Sequence, residues 1–93
     1  MTCPSIPLKA KRRGALRTFI WSVLKKDEGT SVQTLYSKVL NEFGPQQCCP
    51  ELKCGHKGKE NEPEYCHIVR WVLNDGKADS VFANPERNNW ILR

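Results

Sequence analysis

The segment 62–93 reads EPEYCHIVRWVLNDGKADSVFANPERNNWILR, and its pattern predicts a helix that leads directly into a two-stranded hairpin. Pro63 suits the first position of a helix, because its missing N–H would have no intrahelical partner there. Apolar residues then recur at the three-and-four spacing of a buried helix face: Tyr65, Ile68, Val69, Val72 and Leu73. Gly76 follows where a left-handed residue would end the helix. We therefore predict a helix over 63–75.

The opposite face of this helix is polar, and two strand-like segments follow it. The polar face carries His67, Arg70, Trp71 and Asn74. Residues 80–83 and 89–93 have the composition of strands, and the segment 84–88 between them is rich in turn formers. A polar-faced helix followed by a hairpin suggests a surface that binds in a groove.

Length and charge indicate one small domain with an anionic partner. The chain has 93 residues, a formal net charge of +5 and a pI near 9.1. Every charged residue before Asp27 is basic, and these are Lys9, Lys11, Arg12, Arg13, Arg17, Lys25 and Lys26. We predict a flexible basic arm over 1–13 and a folded domain over 14–93, while a solvated tail that only aids solubility is the competing interpretation.

The sequence lacks the pattern of a secretion signal or a membrane span. The apolar run 15–24 follows basic residues, but Arg17, Thr18 and Ser22 interrupt it, and no small-residue cleavage site follows. No segment is apolar over the length that a membrane helix needs. Five cysteines are an odd number, so reduced thiols are expected rather than a disulfide framework. We predict an intracellular protein that does not enter membranes.

Two more helices are predicted upstream. The stripe of Leu16, Phe19, Ile20, Val23 and Leu24 indicates a first helix over 15–26. Trp21 lies off this stripe, and we expect it at a partly buried edge of the core, with an interface as the alternative.

The second helix has a predicted start and stop. Thr30 to Gln33 has the form of a capping box, with Thr30 as the N-cap, and Gly44-Pro45 supplies the stop. Its apolar face consists of Val32, Leu35, Tyr36, Val39, Leu40 and Phe43. We also expect one or two residues of the connection 28–30 to pair with the later hairpin.

The segment 46–61 is predicted to be a long irregular loop that contains soft metal ligands. One structural zinc ion would be held by Cys49, Cys54, His56 and Cys66. Cys66 is preferred over His67 as the fourth ligand because its helical angle places it beside the core stripe. Free cysteines or a local disulfide are equally consistent with the sequence.

The order of elements resembles the winged helix-turn-helix family over about 15–93. The resemblance rests on three helices followed by a C-terminal hairpin, with a capped second helix and a polar-faced third helix. It implies a mainly α fold with a small β-hairpin, in which 63–75 is the recognition helix, 78–93 is the wing and 44–62 is a Cys-rich insertion between the second and third helices.

The resemblance also implies double-stranded DNA as the partner. His67, Arg70 and Asn74 would contact base edges in the major groove. Backbone or minor-groove contacts would come from the wing, through Arg87, Asn88 and Asn89, and from the arm, through Lys11, Arg12 and Arg13. Lys77 is a further predicted DNA contact. Glu60, Glu62 and Glu64 depart from this pattern because their carboxylates would repel phosphates.

The sequence is consistent with three functions. The first is a small transcriptional regulator that reads DNA, with a homodimer through the first helix or through Trp21 and Trp71 as a further expectation. The second is a winged-helix module, with or without a stabilising zinc, that binds proteins through Trp71 and the acidic start of the third helix and binds no nucleic acid. The third is a metal- or redox-responsive switch added to either. An enzyme is not expected, because Cys66 and His67 diverge on a helix and no other nucleophile–base pair is evident.

Overall fold

Helices and three short strands account for most of the described residues, 13–53 and 62–93, in this computed structural model. In chain order they are α1 (Arg13–Val23), β1 (Thr30–Ser31), α2 (Val32–Phe43), α3 (Pro45–Cys48), α4 (Glu64–Ala78), β2 (Phe82–Glu86) and β3 (Asn89–Leu92). The three strands form one antiparallel sheet in the order β1-β3-β2. The predicted class, mainly α with a small β-hairpin, is confirmed at this level.

The helices and the sheet enclose one apolar core. The fully buried side chains include Leu16, Ile20, Leu35, Val39, Ile68, Val69, Leu73 and Phe82. Most of them belong to the predicted apolar stripes, since burial of those stripes is what stabilises three short helices against one another. The core fixes α4 between α1, α2 and β2 and leaves one face of α4 toward solvent.

Helix α1 begins at Arg13 and ends at Val23, earlier than the predicted range 15–26 at both ends. The Lys25 carbonyl accepts a hydrogen bond from the Leu92 amide at 3.0 Å, so pairing with β3 draws the chain out of the helix. Arg13, which the charge pattern places in the arm, is part of the helix. Trp21 is 56% exposed, so its expected place at the edge of the core is wrong.

Helix α2 begins one residue later than the capping box predicted. Ser31, not Thr30, is the N-cap, and its hydroxyl accepts from the Thr34 amide at 3.2 Å. Thr30 and Ser31 instead pair with Trp90 and Asn89 of β3, which confirms the predicted pairing of this connection with the hairpin.

The stop of α2 is confirmed, but the segment that follows is not wholly irregular. Gly44 has φ of 83° and donates its amide to the Leu40 carbonyl at 2.9 Å. Pro45 then opens the short helix α3, where its missing N–H is no cost. The first part of the predicted loop is therefore helical.

Helix α4 continues to Ala78, so Gly76 does not end it as predicted. Pro63 is the N-cap rather than the first helical residue. Gly76 lies inside the helix against the ring of Phe82, and a Cβ at this position would overlap that ring. Ser80, with φ of 62°, reverses the chain instead. Gly76 is required for the close packing of β2 on α4.

The hairpin turns more tightly than the sequence pattern predicted. Arg87 and Asn88 alone connect β2 and β3, and Asn88 adopts φ of 65°, a region that asparagine tolerates. Pro85 lies within β2, which is an edge strand, where the register shifts between Ala83 and Glu86. A bulge on an edge strand accommodates proline because its missing N–H is not needed for pairing there.

Candidate interaction surface

The solvent-facing side of α4 is flanked by two arginine–carboxylate systems. Trp71, Asn74 and Ala78 are exposed along this side. His67 is half-buried, and its ring centroid lies 4.7 Å from that of Trp71 in an edge-on arrangement. His67, Trp71 and Asn74 therefore share one face, as predicted, whereas Arg70, which was predicted with them, is directed toward Glu62 and Tyr36.

On the outer flank of α4, two arginines of α1 pair with two aspartates. Arg13 Nη2 donates to Asp75 Oδ2 at 2.7 Å, and Arg17 Nη1 donates to Asp79 Oδ2 at 2.9 Å. The Arg13 guanidinium also lies 5.6 Å from the ring centroid of Trp71. We call this set the outer flank.

Trp21 extends the outer flank along α1. Arg17, Thr18, Trp21 and Val81 line one shallow depression. Trp21 and Trp71, at 56% and 40% exposure, are the exposed large hydrophobic residues of the described chain. Arg17 lines this depression and also pairs with Asp79, so the depression is continuous with the outer flank. We call the combined surface the tryptophan face, and its residues are Arg13, Arg17, Trp21, Trp71, Asp75 and Asp79.

The inner flank of α4 is built around Arg70 and is more protected. Its guanidinium forms a bidentate ion pair with Glu62, with Nη1–Oε2 and Nη2–Oε1 distances of 2.7 and 2.6 Å. Nη1 also donates to the Tyr36 hydroxyl of α2 at 3.3 Å. The Glu62 hydrogen bond raises the pKa of Arg70, while burial opposes that shift. Arg70 thus ties the start of α4 to α2.

Aromatic and thiol groups continue the inner flank into the core. Tyr36 and Tyr65 pack edge to face with centroids 6.5 Å apart. Burial raises the pKa of Tyr65 to about 12, and the adjacent Cys66 adds to the shift. Burial also raises the pKa of the Cys48 thiol to about 11, again with a contribution from Cys66. Neither Cys48 nor Cys66 takes part in a disulfide.

Two of the four predicted zinc ligands, Cys49 and Cys66, lie among the described residues. Cys49 is disulfide-bonded, which agrees with the local disulfide that the sequence left open, and a disulfide sulfur offers no thiolate to a metal. Cys54 and His56 lie outside the described residues. Within 13–53 and 62–93, no three His, Cys, Asp or Glu side chains converge as metal ligands. Zinc binding stays a prediction.

The predicted DNA contacts are distributed over several places. Lys11 and Arg12 lie outside the described residues. Arg13 and Arg70 each face a carboxylate, on opposite flanks of α4. Asn74 and Lys77 are exposed on α4, while Arg87 and Asn88 are exposed at the tip of the hairpin. The predicted DNA contacts therefore do not lie together on one side of α4. Arg13 is on the outer flank, Arg70 is on the opposite flank, and Arg87 and Asn88 are at the tip of the hairpin.

Carboxylate partners are the feature that the sequence interpretation missed. Glu62, Asp75 and Asp79 neutralise the arginines next to α4. The described residues hold 10 of the 15 lysines and arginines and 9 of the 10 aspartates and glutamates, so their net charge is +1. The sequence does contain a signal for two of these pairs. Arg13 and Arg17 are four residues apart, as are Asp75 and Asp79, so each pair of like charges lies on one face of its helix and could meet the other pair.

No described helix combines the length and apolar character needed to cross a membrane. Comparisons with protein-family models, curated proteins and solved structures find no match to this chain.

Proposed function

We propose that this chain is a winged-helix module that binds a protein partner through the tryptophan face. The order of elements and the sheet order β1-β3-β2 support the winged-helix interpretation, with α4 as the third principal helix and the β2–β3 hairpin as the wing. The observation that carries the functional proposal is the exposure of Trp21 and Trp71 on one charge-balanced surface. Tryptophan is enriched in the energetic centres of protein interfaces, where its large ring is removed from water.

The electrostatics of α4 favour this function over base reading. Arg70, the predicted guanine contact, already has a bidentate partner in Glu62. Arg13 and Arg17 are offset by Asp75 and Asp79, so the tryptophan face contributes little net attraction for phosphates. A face with little net charge and large aromatic side chains is suited to binding another protein.

Selection from a phage-displayed random peptide library would test the proposal, because such a library samples many partner sequences at once. Wild-type protein should enrich a peptide family that is lost on the double variant Trp21→Ala/Trp71→Ala. A matched control, Lys26→Ala/Lys38→Ala, alters exposed residues that line other depressions of the surface and should retain the same peptides. Failure to enrich a family that depends on the two tryptophans would refute the proposal.

Double-stranded DNA is the second candidate, and the charge distribution favours it. The described residues account for +1 of the formal charge of +5, so most of the cationic excess belongs to residues 1–12 and 54–61. A basic segment joined to a neutral body can supply sequence-independent phosphate contacts. Arg87 at the tip of the hairpin would add one more.

Fluorescence anisotropy with mixed-sequence duplex DNA at low and moderate salt tests this candidate. Binding through the cationic segments should fall steeply with salt and weaken for Lys11→Ala. Asn74→Ala provides the comparison, because it should change base preference only if α4 reads the groove. The absence of binding at low salt would exclude the candidate.

A further inference from the structure

The tryptophan face consists of two parallel rows whose charges are opposite. Along α1 the row runs Arg13, Arg17, Trp21, with a spacing of four residues. Along α4 and its cap the other row runs Trp71, Asp75, Asp79, with the same spacing.

The ion pairs fix how the two rows lie against each other. Because Arg13 pairs with Asp75 and Arg17 pairs with Asp79, the rows run in the same direction. Trp71 therefore lies before the first pair, and Trp21 lies beyond the second. The surface has two cations on one side, two anions on the other, and an exposed indole at each end.

We propose that a second copy of this chain binds the tryptophan face across a two-fold axis that runs along the two rows. This inference rests on the proposed function, since it names the protein partner of the same surface. The axis sets α1 of each copy on α4 of the other, so Arg13 faces the partner's Asp75 and Arg17 faces the partner's Asp79. Each internal ion pair then becomes part of a four-charge cluster of alternating sign.

Charge complementarity also favours this two-fold axis over the alternative axis that would bring the same two faces together. An axis perpendicular to the rows would set α1 on the partner's α1 and bring Arg13 against the partner's Arg17. Like charges held together in this way cost free energy. In the proposed arrangement every charge meets its opposite, and the indoles at the two ends are covered.

Two charge-reversed variants test the arrangement. Arg13→Asp/Arg17→Asp gives a face with four aspartates, and Asp75→Arg/Asp79→Arg gives a face with four arginines. Both variants should fold, because the two ion pairs are exposed and contribute little to stability. Circular dichroism checks that they do.

Sedimentation equilibrium then measures association from low micromolar to near-millimolar protein. The wild type should form a dimer in the upper part of this range, each variant alone should remain monomeric, and their equimolar mixture should form a heterodimer. Lys26→Asp/Lys38→Asp makes the same change of net charge as Arg13→Asp/Arg17→Asp but at other depressions of the surface, and it should dimerise like the wild type. A wild type that remains monomeric throughout, or variants that do not associate when mixed, would overturn the inference.

The outcome separates this inference from the proposed function. If the wild type is monomeric but peptides are still selected through Trp21 and Trp71, the face binds a different protein and only the second-copy assignment fails. If neither result is obtained, both fail.

Discussion

The two flanks of α4 use the same pair of chemical groups under different exposure to water. On the inner flank, Arg70 and Glu62 are 28% and 21% exposed and form a bidentate pair that also engages Tyr36. On the outer flank, Arg17 and Asp79 are 36% and 59% exposed and share a single hydrogen bond. Burial and multiple hydrogen bonds make an ion pair structural, whereas an exposed pair contributes little stability and can exchange partners.

The two flanks show why the presence of an arginine on a helix is by itself a poor indicator of a binding site. Residue type and helical position predict DNA contacts for both Arg13 and Arg70. Arg70 holds α4 to α2, while Arg13 lies on an exposed face beside Trp71. What separates their roles is which carboxylate each guanidinium meets.

Arg70→Ala should produce the largest loss of stability among these changes. It removes a bidentate ion pair with Glu62 and a hydrogen bond to the Tyr36 hydroxyl from a partly buried site, so we expect a loss of about 2 kcal/mol in the free energy of unfolding. Urea denaturation measures it, and the double variant with Glu62→Ala should show strong coupling. A cost for Arg70→Ala no greater than that of Arg17→Ala would contradict the distinction between the flanks.

Alkaline pH should destabilise the inner flank. Burial holds the pKa of Cys48 at about 11 and that of Tyr65 at about 12, against ordinary values of 9.0 and 10.0. Because the folded-state pKa values are raised, the stability tied to the neutral forms is complete below about pH 9 and is lost as pH rises toward 12.

The urea midpoint, measured at increasing pH, checks this prediction. It should decrease across that window, and Cys48→Ala should flatten the lower part of the decrease relative to the wild type. A midpoint that stays constant up to the pKa of Tyr65 would show that these groups titrate alike in the folded and unfolded chains.

Arg17→Ala should have the smallest effect on stability. The pair with Asp79 is exposed, so we expect a loss below about 0.5 kcal/mol, and added salt should remove it. Urea denaturation at two ionic strengths measures the difference. A loss above about 1 kcal/mol that persists in salt would mean that the outer flank is structural as well.

Helices whose apolar pattern or end signal lies within a few residues are predictable from the sequence. Features that depend on contacts between residues far apart in the chain are not. The apolar stripes of α1, α2 and α4 identify much of the core, and the predicted stop at Gly44 is confirmed. The predicted stop at Gly76 is wrong, because the role of this glycine depends on Phe82 packing against the helix rather than on its own backbone preference.

The candidate site was predictable only in part for the same reason. Trp71 and Asn74 follow from the helical period of α4, so their shared face could be inferred. The partnership of Arg13 with Asp75 spans 62 residues and requires the packing of α1 on α4. Pairing of charges across the fold is what makes a surface neutral where the sequence predicts a cationic one.

The most direct measurement is the response of the tryptophan indole N–H resonances to mixed-sequence duplex DNA at low salt, observed by NMR. If the tryptophan face serves protein binding, the indole signals of Trp21 and Trp71 and the side-chain amide of Asn74 should stay fixed, as should the buried Trp90. A saturable, salt-reversible shift of Trp71 and Asn74 would contradict the account and identify the exposed side of α4 as a DNA-reading surface.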